Sequence, residues 1–251
     1  MINVTRDNAI LTLEISRPEK KNALLPQMYL DMAAAIESVN ESDIKAILIQ
    51  GSNGCFTAGN DIADFISKGN DREINETYRF MLALLKCPIP VVAKIEGLAI
   101  GIGTTLLLHC DFVYCDKNAK FAMPFINLGL VPEYASSYIL PRISGSLRAA
   151  ELLLLGESFS ADKAYECGIV SKVTEPSELS DLVNQTLNKL VSKPKMALIQ
   201  SKALLRNQQT EIEQHIIDEL AIFAEAMVSE PAIEAFSAFL EKRPVNTTRY
   251  K

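Results

Sequence analysis

The chain lacks a disulfide framework. Its five cysteines, Cys55, Cys87, Cys110, Cys115 and Cys167, are odd in number and irregularly spaced. No CxxC pair suggests a zinc site. Long hydrophobic runs are also missing. The most apolar stretch, Leu98 to Leu108, is too short to cross a bilayer and carries two glycines. The opening Met-Ile-Asn-Val-Thr-Arg-Asp has no apolar segment of the signal-peptide kind. Basic charge is not in excess. The formal net charge of -6 argues against a dominant nucleic-acid surface. No G-x-S-x-G context surrounds Ser136-Ser137, and no repeat, linker or low-complexity segment interrupts the chain. These absences lead us to expect a soluble protein of a reducing compartment, with a cytoplasmic location. A core, by contrast, is well supplied. Hydrophobic residues make up 48% of 251 positions, enough for one large domain or a domain with an appendage.

The first two thirds alternate between strand and helix patterns. Ile10, Thr12 and Glu14 alternate with Leu11, Leu13 and Ile15, which predicts a strand, with Ile2 to Thr5 pairing through a turn at Arg6-Asp7-Asn8. Pro26 opens a predicted helix to about Asn40, whose apolar face includes Met28, Met32 and Ile36. Ile44 to Ile49, Val91 to Ile95 and Phe112 to Cys115 read as buried strands, and Asp71 to Leu85 as a helix stopped by Pro88 and Pro90. Gly97 to Leu108 reads as a glycine-rich turn entering a buried helix. This order predicts an α/β core with parallel pairing. Beyond Ser144, Ser146 to Leu155, Ala161 to Cys167, Glu178 to Val191, Pro194 to Asn207 and Glu211 to Lys242 read as helices, with one last strand at Val170 to Val173. We divide the chain into an α/β core over 1–190 and a helical region over 191–251.

The stretch Phe121 to Pro141 holds one carboxylate, Glu133, in a run otherwise free of charge. Two readings follow. A carboxylate among Ile126, Leu128, Leu130 and Val131 is desolvated, which raises its pKa and suits a general base near neutral pH. Alternatively, Pro132 and Glu133 occupy the first two positions of an ordinary helix over Ala135 to Leu140, and the helix dipole would lower that pKa.

Other constellations are weaker. Gly101-x-Gly103 after a strand would need a third glycine at Leu106 to make a dinucleotide fingerprint. What remains is a helix N-terminus able to bind an anion, or glycines that allow close packing. In Phe56 to Ile62, Gly59 permits an unusual backbone, and Asn60 and Asp61 are placed to cap a following helix. His109-Cys110-Asp111 cannot converge on one point if helical. His215 lies mid-helix without an evident partner.

Taken in order, Phe56-Thr-Ala-Gly-Asn-Asp-Ile62, Gly97-Leu-Ala-Ile-Gly-Ile-Gly-Thr-Thr105 and Phe121-Ala-Met-Pro-Phe125 resemble segments of the enoyl-CoA hydratase/isomerase (crotonase) superfamily. The loop Arg17-Pro-Glu-Lys-Lys-Asn-Ala-Leu24 and the tail Ala238 to Arg243 match as well, so the resemblance spans essentially the whole chain. It implies a spiral of ββα repeats with C-terminal helices that build a trimer or a dimer of trimers. It implies an acyl-CoA thioester as ligand, a role in fatty-acid β-oxidation, no metal, and no cofactor apart from the coenzyme A of the substrate. The main-chain N–H groups of Asn60 and Ile102 fall on the two positions that hold the thioester oxygen. Lys20, Lys21, Ala23, Leu24, Ala58, Gly59, Asp61, Ile62, Gly101, Phe125, Leu128, Phe239 and Lys242 fall on substrate-binding positions. Phe239 is expected against the adenine and Lys242 near a phosphate, with a neighbouring subunit as one possible source.

The two glutamates of the hydratases are missing: Thr105 and Phe125 occupy their positions. Pro132-Glu133 instead is similar to the peroxisomal-type Δ3,Δ2-enoyl-CoA isomerases, in which the glutamate after the second proline is the base. Tyr134 stands where that branch usually has glycine. The expected activity is therefore a double-bond shift with Glu133 as the one base. Hydration, thioester hydrolysis and a non-catalytic acyl-CoA-binding module are the alternatives.

Overall fold

The computed structural model describes residues 1–63 and 75–250. The expected helix over Asp71 to Leu85 is present as Asn75–Leu85, and residues 71–74 lie outside the described residues. Among the described residues, nine strands form two sheets. The larger has the order β1 (Ile2–Asp7), β2 (Ile10–Ile15), β3 (Ala46–Gly51), β4 (Val91–Ile95), β6 (Phe112–Asp116) and β9 (Lys172–Thr174). The smaller has β5 (Leu98–Ile100), β7 (Lys120–Ala122) and β8 (Ser158–Ser160). β1 and β2 form a hairpin through Asn8 and Ala9, and every other pair in the large sheet is parallel. Parallel strands need crossover connections, which here are the helices.

Ten α-helices are present among the described residues: α1 (Pro26–Glu37), α2 (Asn75–Leu85), α3 (Ile102–Thr105), α4 (Ser136–Ser144), α5 (Ser146–Leu155), α6 (Ala161–Glu166), α7 (Pro176–Val191), α8 (Lys195–Leu205), α9 (Gln209–Met227) and α10 (Glu230–Glu241). The single helix expected over Glu211 to Lys242 is two. Ser229 caps the second by accepting from Ala232 N–H, and Pro231 lies in its first turn, where the missing N–H costs nothing.

The repeat unit is a strand in the large sheet, a short extended piece in the small sheet, then a helix. β4, β5 and α3 make one such unit. Leu24 and Thr57 supply the short pieces of two earlier units, bridging in parallel to Asn60 and Ala99. One apolar core lies between the sheets and α1, α2, α9 and α10, with Leu13, Met32, Phe80, Ile95, Ile102 and Phe223 among its members. Met28 and Met32 are core filler, as the helical spacing suggested. α7 covers the other face of the large sheet, packing Leu179, Val183 and Leu187 on Leu48, Val92 and Tyr114. No described helix is long and apolar enough to cross a membrane.

Candidate active site

Two loops meet where the short pieces of the small sheet end. The first runs through Ala58, Gly59 and Asn60, the second through Ile100, Gly101 and Ile102. Thr57 N–H donates to Leu98 O at 2.8 Å and Ile100 N–H donates to Thr57 O at 3.1 Å, which fixes the loops side by side. Gly59 has φ +85°, and a Cβ there would lie 2.6 Å from Ile100 O. Gly101 has φ +57° and ψ -122°, outside the regions open to side-chain-bearing residues. Gly103 serves close packing instead, since a Cβ would meet Thr57 Cγ2 at 2.5 Å.

This geometry leaves main-chain donors unused. Ala58 N–H donates to Lys21 O, Asp61 N–H to Leu24 O, and Gly59 N–H to Thr57 Oγ1. Gly101 N–H donates to Ala122 O, and Thr104 and Thr105 N–H to Gly101 O. Among the described residues, the N–H groups of Asn60 and Ile102 have no such partner. Both belong to residues on the wall of one cleft of about 590 Å³. A pair of free main-chain N–H groups on adjacent rigid loops can stabilise an oxygen that gains negative charge.

The first loop is braced from the chain's start. Asn22, buried and left-handed at φ 58°, donates its amide to Ser52 O and Cys55 O, and Thr57 Oγ1 donates to Asn22 O at 2.7 Å. Arg17 donates to Asp61 Oδ2 at 2.7 Å and to Ala23 O at 3.2 Å. Asp61 also accepts from Ala63 N–H at 3.1 Å, so it does cap the turn that follows. Asn60 does not. Its side-chain oxygen accepts a short hydrogen bond from the Tyr29 hydroxyl on α1.

The cleft gathers nearly every residue expected to touch substrate. Ala23, Ala58, Gly59, Asp61, Ile62, Gly101, Phe125 and Leu128 line it. Lys20, Lys21, Phe239 and Lys242 form an exposed rim, all contributed by the same chain. Leu24 is a correction: it is buried behind the cleft and acts through its backbone, donating to Gly59 O and accepting from Asp61 N–H. Leu130 and Phe223, not anticipated, add apolar wall.

Glu133 does not line the cleft and is only 2% exposed. It does not start a helix. Tyr134 and Ala135 follow it in left-handed conformation, at φ 59° and 55°, and α4 begins at Ser136. The helix-dipole reading of Glu133 is therefore wrong, because the carboxyl sits before a reversed turn and not in a first helical turn. Burial pushes its pKa up to about 8, and the Glu219 carboxylate pushes in the same direction. The Thr105 hydroxyl opposes the shift, but neither its Oγ1 nor Glu133 Oε1 makes a hydrogen bond of ordinary geometry to a described residue. Glu133 is thus a desolvated carboxyl with one uncommitted oxygen. Thr105 connects it to the α3 loop. The Tyr29 hydroxyl feels its charge and connects it to Asn60; burial, then Glu133, raises the Tyr29 pKa well above that of an ordinary phenol.

Left-handed Tyr and Ala are costly without help, about 1–2 kcal/mol each. Three contacts hold the turn. The Tyr134 carbonyl meets His109 Nε2 at 2.9 Å, and the two rings stack 3.8 Å apart. The Tyr134 hydroxyl donates to Met81 O at 2.9 Å. Glu219 accepts from Ala135 N–H at 2.6 Å and from Ser137 N–H at 3.0 Å. Burial depresses the His109 pKa to about 3, so it is a neutral brace and not an acid. His215, without an evident partner in the sequence, packs its ring on Tyr138 at 4.2 Å.

Tyr29, Asn22, His109 and Glu219 escaped the sequence reading. Only Glu219 carried a signal. It lies three residues after Ile216 and four before Phe223, on the apolar face of α9, where a carboxylate requires a partner.

A model of the enoyl-CoA hydratase/isomerase family matches residues 5–249. Enoyl-CoA delta isomerase 2 of Rattus norvegicus is 32% identical over 97% of this chain, which spans 64% of that relative's length. Crotonyl-CoA hydratase of Syntrophomonas wolfei is also 32% identical, with 98% of this chain and 96% of the relative aligned. The crystal structure of an enoyl-CoA hydratase/isomerase from Pseudoalteromonas atlantica superposes with a TM-score of 0.91 at 38% identity, covering 98% of both chains.

Proposed function

The chain belongs to the enoyl-CoA hydratase/isomerase family, and from that membership we propose that it moves a double bond from C3–C4 to C2–C3 of an acyl-CoA thioester, in fatty-acid β-oxidation. Glu133, ionised, removes a proton from C2 of the 3-enoyl thioester. The electron pair delocalises into a dienolate whose charge resides on the thioester oxygen. The Asn60 and Ile102 N–H groups bind that oxygen more strongly than the neutral carbonyl, which lowers the barrier. One such donor is typically worth about 2.7–4 kcal/mol. Protonated Glu133 then delivers the same proton to C4, and the carboxylate is regenerated. The step needs no metal and no redox cofactor.

The observation that supports this reading is that Glu133 is a buried carboxyl with an uncommitted oxygen, linked through Thr105 to the helix that starts at Ile102 and through Tyr29 to Asn60. Hydration uses two carboxyl groups to hold and split water. Here Thr105 and Phe125 stand at the two positions where the resemblance puts those carboxyl groups. Of the other carboxylates nearby, Glu219 is engaged by Ala135 and Ser137, and Asp61 by Arg17. Hydration remains the reading to beat, since a named hydratase is as similar as a named isomerase. A panel of cis- and trans-3-enoyl-CoAs, assayed beside 2-enoyl-CoA, separates them. Conversion of 3-enoyl to 2-enoyl product is expected, with hydration slower. Rapid hydration with no isomerisation would refute the proposal.

The rim lysines suit the phosphates of coenzyme A, because an acidic chain needs a local basic patch to hold them. Reversing the charge of Lys20 and Lys21 together is expected to raise KM for acyl-CoA and leave kcat nearly unchanged. An unchanged KM would remove both from the site.

Assembly into a trimer, or a dimer of trimers, is part of the proposal. Ile216, Leu220, Phe223 and Phe236 are buried within their own chain, so they supply no argument for it. The support comes from side chains left in water, notably Leu147 on α5 and Leu204 and Leu205 on α8, each at least 80% exposed. Sedimentation is expected to show a trimer or hexamer, and a monomer at micromolar concentration would contradict it.

A further inference from the structure

We propose that Glu219 on α9 is a positioning residue for the proton transfer: its carboxylate locks the left-handed Tyr134–Ala135 turn that presents Glu133, and its negative charge acts on that base. The inference rests on the reading of Glu133 as the base. The geometry is specific. Glu219 Oε2 accepts from Ala135 N–H at 2.6 Å, and Oε1 accepts from Ser137 N–H at 3.0 Å and from the Ser137 hydroxyl. Main-chain N–H groups can only donate, and one reaches each oxygen. This arrangement fits a carboxylate and disfavours a protonated acid. The residue is buried, so its charge is poorly screened by water.

The consequence reaches Glu133 by two routes. Mechanically, Ala135 and Ser137 flank the start of α4, and Glu133 accepts from Ser136 N–H and from the Ser136 hydroxyl through its own carbonyl. Glu219 thus grips the same turn one side over. Electrostatically, a like charge disfavours ionisation of Glu133 and makes it a stronger base once ionised. The other titratable groups around the pair are few. Tyr29 from α1 and the adjoining Tyr134 face Glu133. Burial pushes the Glu219 pKa up, and the Ser137 and Ala135 donors, together with His215 one turn earlier on α9, oppose that rise. Cys110, Arg206 and Cys87 also act on Tyr134. No cation among the groups acting on Glu133 offsets Glu219.

Glu219→Gln removes the charge, keeps the volume and retains one acceptor oxygen. Carbon-13 titration of the glutamate carboxyls, with Glu133 assigned by its loss in Glu133→Gln, is expected to place the Glu133 midpoint about one unit lower in Glu219→Gln than in the parent protein. The rising limb of kcat/KM against pH for a 3-enoyl-CoA is expected to move with it. A purely structural role would lower the melting temperature and leave both midpoints in place, and that result overturns the proposal. If the carboxyl midpoint moves and the rate profile does not, Glu219 tunes Glu133 but the base assignment fails, so the two claims separate. The parent protein gives a second check that needs no variant at position 219. There the Glu219 carboxyl is expected to stay ionised throughout the range in which Glu133 titrates, and a Glu219 that holds its proton across that range also overturns the proposal.

Discussion

Glu133→Gln is expected to abolish isomerase turnover while the protein stays folded and still binds acyl-CoA. Gln matches the side chain in volume but cannot take the C2 proton. General-base catalysis alone typically contributes about 10²–10⁴-fold. Thr105 and Phe125 carry no carboxyl to substitute, so the loss should reach the upper end or exceed it. The same variant tests the burial of Glu133 through stability. In the folded protein its pKa is raised to about 8 from 4.5. Between those values the folded state holds a proton that the unfolded chain has released. Stability is therefore full below pH 4.5 and falls as pH rises to about 8, at about 1.4 kcal/mol per unit. Gln has no such loss. Glu133→Gln should melt near the parent temperature at pH 4.5 and above it at pH 8 to 9. A variant that is less stable than the parent at pH 9 would mean that Glu133 is not held as a desolvated acid.

The second large effect concerns the paired N–H groups. Gly59→Ala would put a methyl 2.6 Å from Ile100 O at φ +85°, so the first loop must move away from the second. Displacing one oxyanion donor is expected to lower kcat by about 10²–10³-fold. Gly54→Ala provides the control. It also has positive φ, at +66°, but open space around the added methyl. It should cost about 1–2 kcal/mol of stability and leave kcat alone. If the two substitutions lower kcat equally, the loop geometry is not what supports catalysis.

The elements readable in the sequence were those stabilised by their own burial pattern. β2, β3, β4 and β6 alternate or run apolar, and α1 carries a full apolar stripe. β5, β7 and β8 were missed. Each is three residues long, too short for a periodicity, and exists because its neighbours pair with it. The site followed the same division. Gly59 and Gly101 announce unusual backbone, so their loops were found. Tyr134 and Ala135 announce nothing, since neither residue type favours the left-handed region. Their conformation is imposed by His109, Met81 and Glu219, which lie 25, 53 and 84 residues away in sequence. That is why Glu133 looks like the start of a helix in the sequence, and why, Glu219 apart, the groups that shape its environment carry no signal there.

The pH dependence of kcat/KM for a 3-enoyl-CoA, measured on the parent protein beside Glu133→Gln, tests the central claim most directly. The profile reports the ionisation of the free enzyme's essential base. With Glu133 as that base, the rate should climb with pH, reach half its maximum near pH 8 and level off above that, following the raised pKa, and the climb should vanish in Glu133→Gln. A profile that is flat from pH 6 to 9, or a climb that survives in Glu133→Gln, would contradict it.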